Sequence, residues 1–468
     1  MDNSFDLVVI GAGPGGYVSA IKASKLGMRV AVVEKGEVGG TCLNRGCIPT
    51  KSLIHSAELY RQILNCRRFG LSVEKISFDI EKIHSYKNDV INQLRTGIEQ
   101  LLNANRVTLV KGNGTIEKGQ IVKVENSGST VELHSKNILI ATGSKPTMLP
   151  IKGINLPNVI TSDDLLASDG KIYKKLAIVG GGVIGVEFAT IFNSLGSEVT
   201  IIEAMPSILP GMDREISQNL KIILKKRGIE VYTGALVEEI TDENGLTCHY
   251  KIKDQRLYTS ADAVLIAIGR VPYTKDLFGE GIEPEMEKGR IIVDESFRTS
   301  QMNIYAIGDV IKGMQLAHLA SAQGIYTVEK LNSMESSIDL SIVPACVYTE
   351  PEIASVGITA DEAKEREIPV RIGKFITSAN GKSLISMEER GFIKVVFDER
   401  TDIVIGAHMM CARATDMIGE MATAIANKLT SKQLLRSMKA HPTFNESITE
   451  AIEDCYDGAI HAIPKKGK

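Results

Sequence analysis

The chain has 468 residues, enough for about three domains with sizeable cores. Its 54 Lys and Arg against 57 Asp and Glu give a net charge of −3 with no long basic run, which argues against a nucleic acid partner. No apolar run approaches the roughly 18 residues a membrane span needs, Met1-Asp2-Asn3-Ser4 lacks the order of a signal peptide, and seven cysteines do not read as a secreted disulfide framework, so a soluble, cytoplasmic protein with no membrane partner is expected.

Phe5 to Ile10 reads as a short apolar strand, followed by Gly11-x-Gly13-x-x-Gly16, a helical run to about Leu26, and the strand Arg29 to Val33 ending at Glu34. That is a dinucleotide-binding unit. Its glycines supply a tight turn, a close approach to a pyrophosphate and close helix packing, and its terminal acid receives ribose hydroxyls. Gly39-Gly40-Thr41-Cys42-Leu43-Asn44-Arg45-Gly46-Cys47-Ile48-Pro49-Thr50-Lys51 then places two cysteines on a glycine-rich stretch leading into a helix. A helix start favours thiolate, the species active in thiol-disulfide exchange, so the pair is a candidate redox centre; the plainer alternative is two buried free thiols.

From about Ser52 to Leu102 the pattern is helical with surface charges, and strands resume at Val107 to Val110. Gly112-x-Gly114 is a turn signal. Ile138 to Ile140 is an apolar strand running into the small-residue turn Ala141-Thr142-Gly143, a device repeated where Ala263 to Ile268 meets Gly269-Arg270. Between these turns the nucleotide pattern recurs: strand Leu176 to Val179, Gly180-x-Gly182-x-x-Gly185, a helix through Leu195, and strand Glu198 to Ile202 ending at Glu203. Gly11 to Glu34 and Gly180 to Glu203 share one 23-residue offset, so two nucleotides are expected. A carboxylate at Glu203 suits the 2′-hydroxyl of NAD and would repel the 2′-phosphate of NADP.

Asn303 to Ile307 is a strand ending in Gly308-Asp309, whose local reading is an N-capping aspartate, and Gln315-Leu316-Ala317-His318 stands at a helix start. The last 120 or so residues carry strands at Ala345 to Tyr348, Phe392 to Phe397 and Ile403 to Met409, then helices. In His441-Pro442-Thr443-Phe444-Asn445-Glu446, Thr443 and Glu446 have the spacing of a capping box, which would leave His441 without a duty; alternatively His441 is a base near neutrality with a carboxylate fixing its tautomer. Lys51 and Glu187 could each be a surface charge.

The segment Gly39 to Lys51 resembles the redox-active disulfide of the flavoprotein disulfide reductases, and Leu43-Asn44-Arg45 with Ile48-Pro49-Thr50-Lys51 are similar to the branch that oxidises dihydrolipoyl groups. The resemblance covers nearly the whole chain. It implies an α/β fold of two Rossmann-like dinucleotide-binding domains plus a C-terminal α+β interface domain: FAD-binding 1–146, NAD-binding 147–270, a central return to the flavin 271–345, and an interface domain 346–468. It implies FAD held by Gly11, Gly13, Gly16, Glu34, Lys51, Gly114, Ala141, Thr142, Gly143, Asp309 and Ala317. NAD falls to Gly180, Gly182, Gly185, Glu187, Glu203 and Gly269, and no metal is assigned.

The same resemblance implies that Cys42 and Cys47 form the disulfide, Cys42 exchanging with substrate and Cys47 facing the flavin. His441 would be the base and Glu446 its orienter, serving the opposite subunit of a homodimer. The implied reaction is oxidation of protein-bound dihydrolipoamide to lipoamide with reduction of NAD, on a lipoyl-bearing domain or protein of a 2-oxoacid dehydrogenase, acetoin-cleaving or glycine cleavage system. The alternative is an NAD(P)H-dependent reductase of another small disulfide or of mercuric ion, against which stand Glu203 and the tail Lys465-Lys466-Gly467-Lys468, which lacks a cysteine pair. Leu319 and Tyr273 depart from the family pattern, where lysine and asparagine are frequent.

Overall fold

The computed structural model describes residues 3–167, 170–243, 245–388 and 390–463; the Lys465 to Lys468 tail and Met1-Asp2 lie outside the described residues. Contacts group the chain into two compact units, Met1–Tyr173 with Leu265–Leu340, and Lys174–Val264 with Ser341–Lys468.

In the first unit the strand Ser4–Ile10 lies between Val30–Glu34 and Ser129–Ile140, parallel to both, with Val9 opposite Val32 and Leu139. Thr108–Lys111 extends the sheet beyond Val30–Glu34, and Ile304–Ala306 joins parallel to Ser129–Ile140. Strands of such a sheet are covered on both faces and read as continuous apolar runs, and Leu7, Val8, Val9, Val32, Leu139 and Ile140 are fully buried. The return of the chain at Ile304 is what brings Asp309 back to the end of this sheet. An antiparallel extension, Asn113–Glu117 and Ile121–Asn126 against the first half of Ser129–Ile140, is not evident in the sequence pattern.

The helix Pro14–Lys25 follows the first fingerprint, and the expected helical insertion is present as Cys47–Leu64 and Ile80–Ala104, the latter N-capped by Asp79. The closeness of helix to strand end is enforced at Gly16, where a Cβ would lie 1.8 Å from the Gly11 carbonyl oxygen; Gly185 stands in the same relation to Gly180 at 1.9 Å. The two fingerprints therefore fold alike.

In the second unit Glu198–Glu203 lies between Lys175–Val179 and Glu230–Thr233, all parallel, and the helix Val183–Ser194 follows the second fingerprint. Three antiparallel strands follow, Ala235–Asp242, Leu246–Ile252 and Gln255–Ala261. The C-terminal segment is a five-stranded antiparallel sheet in the order Ala345–Val347, Ile353–Gly357, Val404–Met410, Phe392–Asp398, Val370–Ile376. Its core takes Met417, Ile418 and Met421 from the helix Ala414–Ala426 and Ile448, Ala451 and Ile452 from Glu446–Asp454.

A buried charge cluster ties this sheet to the nucleotide module. Lys394 Nζ donates to Asp213 Oδ1 and Oδ2 at 3.0 and 2.8 Å and pairs with Glu215 Oε2 at 3.1 Å, while Lys374 also pairs with Glu215. Asp213 is the N-cap of the helix Arg214–Lys226. Burial pushes the Asp213 carboxyl up, but the Lys394 hydrogen bond outweighs it and the group is held below its ordinary range. Because the folded pKa is depressed, this stabilisation is present above the unfolded carboxylate range and is lost as pH falls through the folded value. Removing one partner of a buried pair leaves an uncompensated charge, so Lys394→Met should lower the free energy of unfolding by about 3–5 kcal/mol at neutral pH, with a smaller deficit in acid. Urea unfolding at the two pH values measures it; equal losses at both would contradict the assignment to Asp213.

Candidate active site

The cysteine segment folds as a short helix, Gly40–Arg45, and Cys47 is the first residue of the 18-residue helix Cys47–Leu64, whose N-terminus has no side-chain cap. The start of the short helix lies directly on the dinucleotide loop. Gly40 has φ +58°, and a Cβ there would sit 2.6 Å from Gly13 Cα, so Gly40 cannot carry a side chain, whereas a Cβ on Gly13 would meet only Gly40 Cα at 3.8 Å. Tyr17, on the fingerprint helix, has its hydroxyl pKa raised by burial and by the nearby Cys42. The cysteine pair and the first glycine loop are thus neighbours.

Cys42 and Cys47 stand in the structure as two thiols, hydrogen-bonded to each other. The expectation that the helix start favours thiolate is corrected for Cys42. Its pKa is raised, first by the hydrogen bond to the Cys47 side chain, then by burial and by repulsion from Cys47; the Cys47 backbone and Lys51 act the other way without winning. Cys47 is the residue placed on the long helix N-terminus, where negative charge is favoured.

A clamp missed from the sequence fixes this segment. Asn44, between the two cysteines, donates through Nδ2 to the Val38 and Gly40 carbonyls at 2.9 Å each, and its Oδ1 accepts from Arg95 Nη2 at 2.9 Å. Arg95 comes from the helical insertion, which gives that insertion a duty beyond surface charge. Spacing alone carries no signal for such a contact, 51 residues apart.

Glu34 and Glu203 occupy equivalent positions. Glu34 accepts from the backbone N–H of Ala12 and of Gly36, each at 2.7 Å; Glu203 accepts from Gly181 and, at 2.6 Å, from Met205. Each acid holds its own glycine loop, a role the sequence reading did not include. A carboxylate offers about four lone-pair sites, so ribose hydroxyls can be received as well.

The remaining residues expected at the flavin gather at the same sheet end. Ala141 N donates to the Ile10 carbonyl, Thr142 Oγ1 to the Tyr273 carbonyl at 2.7 Å, and Tyr273 N to the Gly143 carbonyl at 2.8 Å. Tyr273 also receives Lys35 Nζ over its ring at 3.3 Å, which the more frequent asparagine could not do. Gly114 packs against Val33 and Ile10 side chains. Asp309 accepts from Ser144 Oγ at 2.6 Å rather than acting as a helix cap. Ala317 opens the helix Ala317–Leu331, whose first turn lacks a side-chain cap, and Leu319 is buried at 7 % exposure, a site that suits leucine better than an unpaired lysine. Uncapped helix starts at Gly13 and Leu316 and a glycine surface without Cβ atoms suit a group with a pyrophosphate and an anionic ring.

In the second unit Gly180 and Gly182 precede the helix Val183–Ser194, again uncapped by a side chain. Glu187 is not a surface charge: it is 3 % exposed, and its Oε1 accepts from Tyr348 N at 3.0 Å. Lys51 and Gly269 belong to the first unit, Lys51 half-buried in the Cys47–Leu64 helix. His441 and Glu446 are brought together, with His441 Nδ1 2.8 Å from Glu446 Oε1. Glu446 Oε2 accepts from Thr443 N at 2.8 Å, yet the helix begins at Glu446 itself with Asn445 as N-cap, so the capping-box reading fails. Burial pushes the Glu446 carboxyl up; Thr443 N–H and then His441 outweigh it, leaving it below its ordinary range.

The family model described as pyridine nucleotide-disulphide oxidoreductase matches residues 5–324, and its dimerisation domain matches 343–452. The chain belongs to the pyridine nucleotide-disulphide oxidoreductase family. Its cofactors are accordingly FAD and NAD(H), and its C-terminal domain is that of a homodimer. It is 39 % identical over 467 residues to dihydrolipoyl dehydrogenase of Geobacillus stearothermophilus, covering 98 % of each chain, and 40 % identical to dihydrolipoamide dehydrogenase of Chaetomium thermophilum, covering 97 % of this chain and 92 % of that one. Among solved structures it resembles LpdA from Mycobacterium tuberculosis (26 % identity, TM-score 0.87) and the HOCl-induced flavoprotein disulfide reductase RclA from Escherichia coli (31 %, TM-score 0.84), each match covering 96 % of this chain and 99 % of the other. No helix among the described residues is long and apolar enough to cross a membrane.

Gly40→Ala should cost the protein its flavin, because the added methyl forces the cysteine helix off Gly13. The flavin-to-protein absorbance ratio of the purified variant should fall well below that of the native protein, and native FAD retention would contradict the close approach.

Proposed function

We propose that the chain acts as a dihydrolipoyl dehydrogenase, oxidising a protein-borne dihydrolipoyl dithiol to its cyclic disulfide while reducing NAD. The observation that carries this reading is the cysteine pair pressed against the flavin-side glycine loop at Gly13 and Gly40. Its near-full-length likeness to dihydrolipoyl dehydrogenases supports the substrate. The reductase alternative with NADPH is disfavoured by the 7 % exposed carboxylate of Glu203, since a 2′-phosphate would meet a buried negative charge. The dithiol partner is a lipoyl domain of a 2-oxoacid dehydrogenase, acetoin-cleaving or glycine cleavage system. A reducing, cytoplasmic setting fits the other five cysteines, Cys66, Cys248, Cys346, Cys411 and Cys455, all unbridged.

In the oxidised enzyme Cys42 and Cys47 share a bond. His441, 79 % exposed and held through Nδ1 by Glu446, presents Nε2 as the free acceptor and takes the proton of one substrate thiol. The thiolate attacks Cys42 Sγ, the Cys42–Cys47 bond breaks, and Cys47 leaves as thiolate onto the helix N-terminus. The second substrate thiol closes on the first sulfur as its proton passes to the departing Cys42 sulfur, releasing the cyclic disulfide and the Cys42 thiol. Bound FAD supplies the transfer of the electron pair from this dithiol to NAD. Gly180, Gly182 and Gly185 form the NAD loop, with Glu203 and Glu187 on its module and Lys51 at the flavin side. His441 serves the cysteine pair of the partner subunit.

His441→Gln should lose dihydrolipoamide oxidation by about 10²–10⁴, the worth of a positioned base, while NADH still reduces the flavin anaerobically. Mixing it with Cys47→Ser under subunit exchange should restore activity, because one site of the heterodimer keeps both groups. Exchange verified by native mass spectrometry without recovered turnover would mean that each site is built from one chain.

Glu203→Ala should raise the KM for NAD and narrow the gap between NAD and NADP. Steady-state rates with each nucleotide measure this, and native enzyme using both equally would contradict the role of Glu203.

A further inference from the structure

Asp309 does not stand alone in the first unit. Arg270 Nε donates to Ser144 Oγ at 2.9 Å, Arg270 Nη2 donates to the Ser144 carbonyl at 3.0 Å, and Ser144 Oγ donates to Asp309 Oδ2 at 2.6 Å. On its far side Arg270 Nη1 meets Asp163 Oδ1 at 3.0 Å. Arg270 is 11 % and Asp163 20 % exposed in their side chains, and Ser144 is 8 % exposed, so water screens the chain poorly.

The direction of this chain is fixed by chemistry. A guanidinium only donates and keeps its protons, so Ser144 Oγ must accept from Arg270 and its own proton has one charged acceptor, Asp309. The two-point grip on the Ser144 backbone and hydroxyl leaves the rotamer no freedom. Asp163 pairs with the guanidinium on its far side, so Asp309 is oriented through the Ser144 hydroxyl and not by a direct ion pair with Arg270. One Asp309 oxygen is occupied and the other is left to accept. The other Asp163 oxygen lies 3.8 Å from Nε of Arg45, which stands between the two cysteines, so the same carboxylate reaches the cysteine helix.

We infer that Asp163, Arg270 and Ser144 form a positioning relay that presents the second oxygen of Asp309 to a hydroxyl of the FAD ribityl chain. The inference rests on the reading that Asp309 faces FAD. None of the three relay residues was singled out in the sequence for this task, since they come from the turn after Gly143, from the helix Ser162–Ala167 and from the return after Gly269.

The test is FAD titration of full-length apoprotein, followed by the change in flavin fluorescence on binding, for native protein and for Ser144→Ala, Arg270→Met, the double variant and Asp309→Ala. Ser144→Ala and Arg270→Met should each weaken FAD binding about tenfold or more. The double variant should be little worse than either, because both break one chain. Thermal unfolding with and without FAD separates a merely structural role: the relay predicts a smaller FAD-induced rise in Tm, whereas general damage lowers the apoprotein Tm and leaves that rise intact. Native affinity in Ser144→Ala alongside weakened Asp309→Ala would overturn the relay. Native affinity in Asp309→Ala would overturn the reading of Asp309 on which it rests.

Discussion

Two backbones meet at Gly13 and Gly40 so closely that Gly40 can carry no side chain, and this contact sets the cysteine segment on the first glycine loop. A loop with little side-chain bulk suits a phosphate, and the cysteine segment begins directly on that loop. Asn44 and Arg95 hold the cysteine segment from one side and the strand ends hold the loop from the other. The position of the cysteine pair relative to the first glycine loop is thus set by the fold.

That contact also sorts the chemistry of the two cysteines. They differ little in sequence surroundings, yet Cys42 sits inside a short helix against its neighbour while Cys47 begins a long one. A short helix of six residues gives little dipole support, and the Cys47 hydrogen bond and then burial raise the Cys42 pKa. The asymmetry that a two-step exchange needs is built from helix length and packing.

The nucleotide modules were the most legible part of the chain, because Gly11 to Glu34 and Gly180 to Glu203 carry their strand, helix and acid within one short local stretch. The helical insertion and most C-terminal strands were legible for the same reason, as periodic runs. Harder to read were contacts that depend on three-dimensional return of the chain. Arg95 reaching Asn44, Lys394 reaching Asp213 and Lys35 lying over Tyr273 leave no periodic trace in sequence. Glu187 shows the limit from the other side: an acid in the first turns of a helix looks like a surface charge until its burial and its bond from Tyr348 are seen. At Glu446 the local rule was misleading, since the spacing of a capping box is also the spacing that lets one carboxylate hold Thr443 N–H and the His441 ring together.

Glu34 and Glu203 each clip the backbone of their own glycine loop, so both loops are shaped before a nucleotide arrives. The carboxylate proposed to receive the ribose hydroxyls is therefore also a structural pin. A lineage drifting toward a phosphorylated nucleotide could not do so by exchanging this acid for a base alone, because the pin would be lost with the charge. Cofactor preference in such a module is tied to mechanics as well as to recognition, and a change of preference has to travel with a new way of bracing the loop.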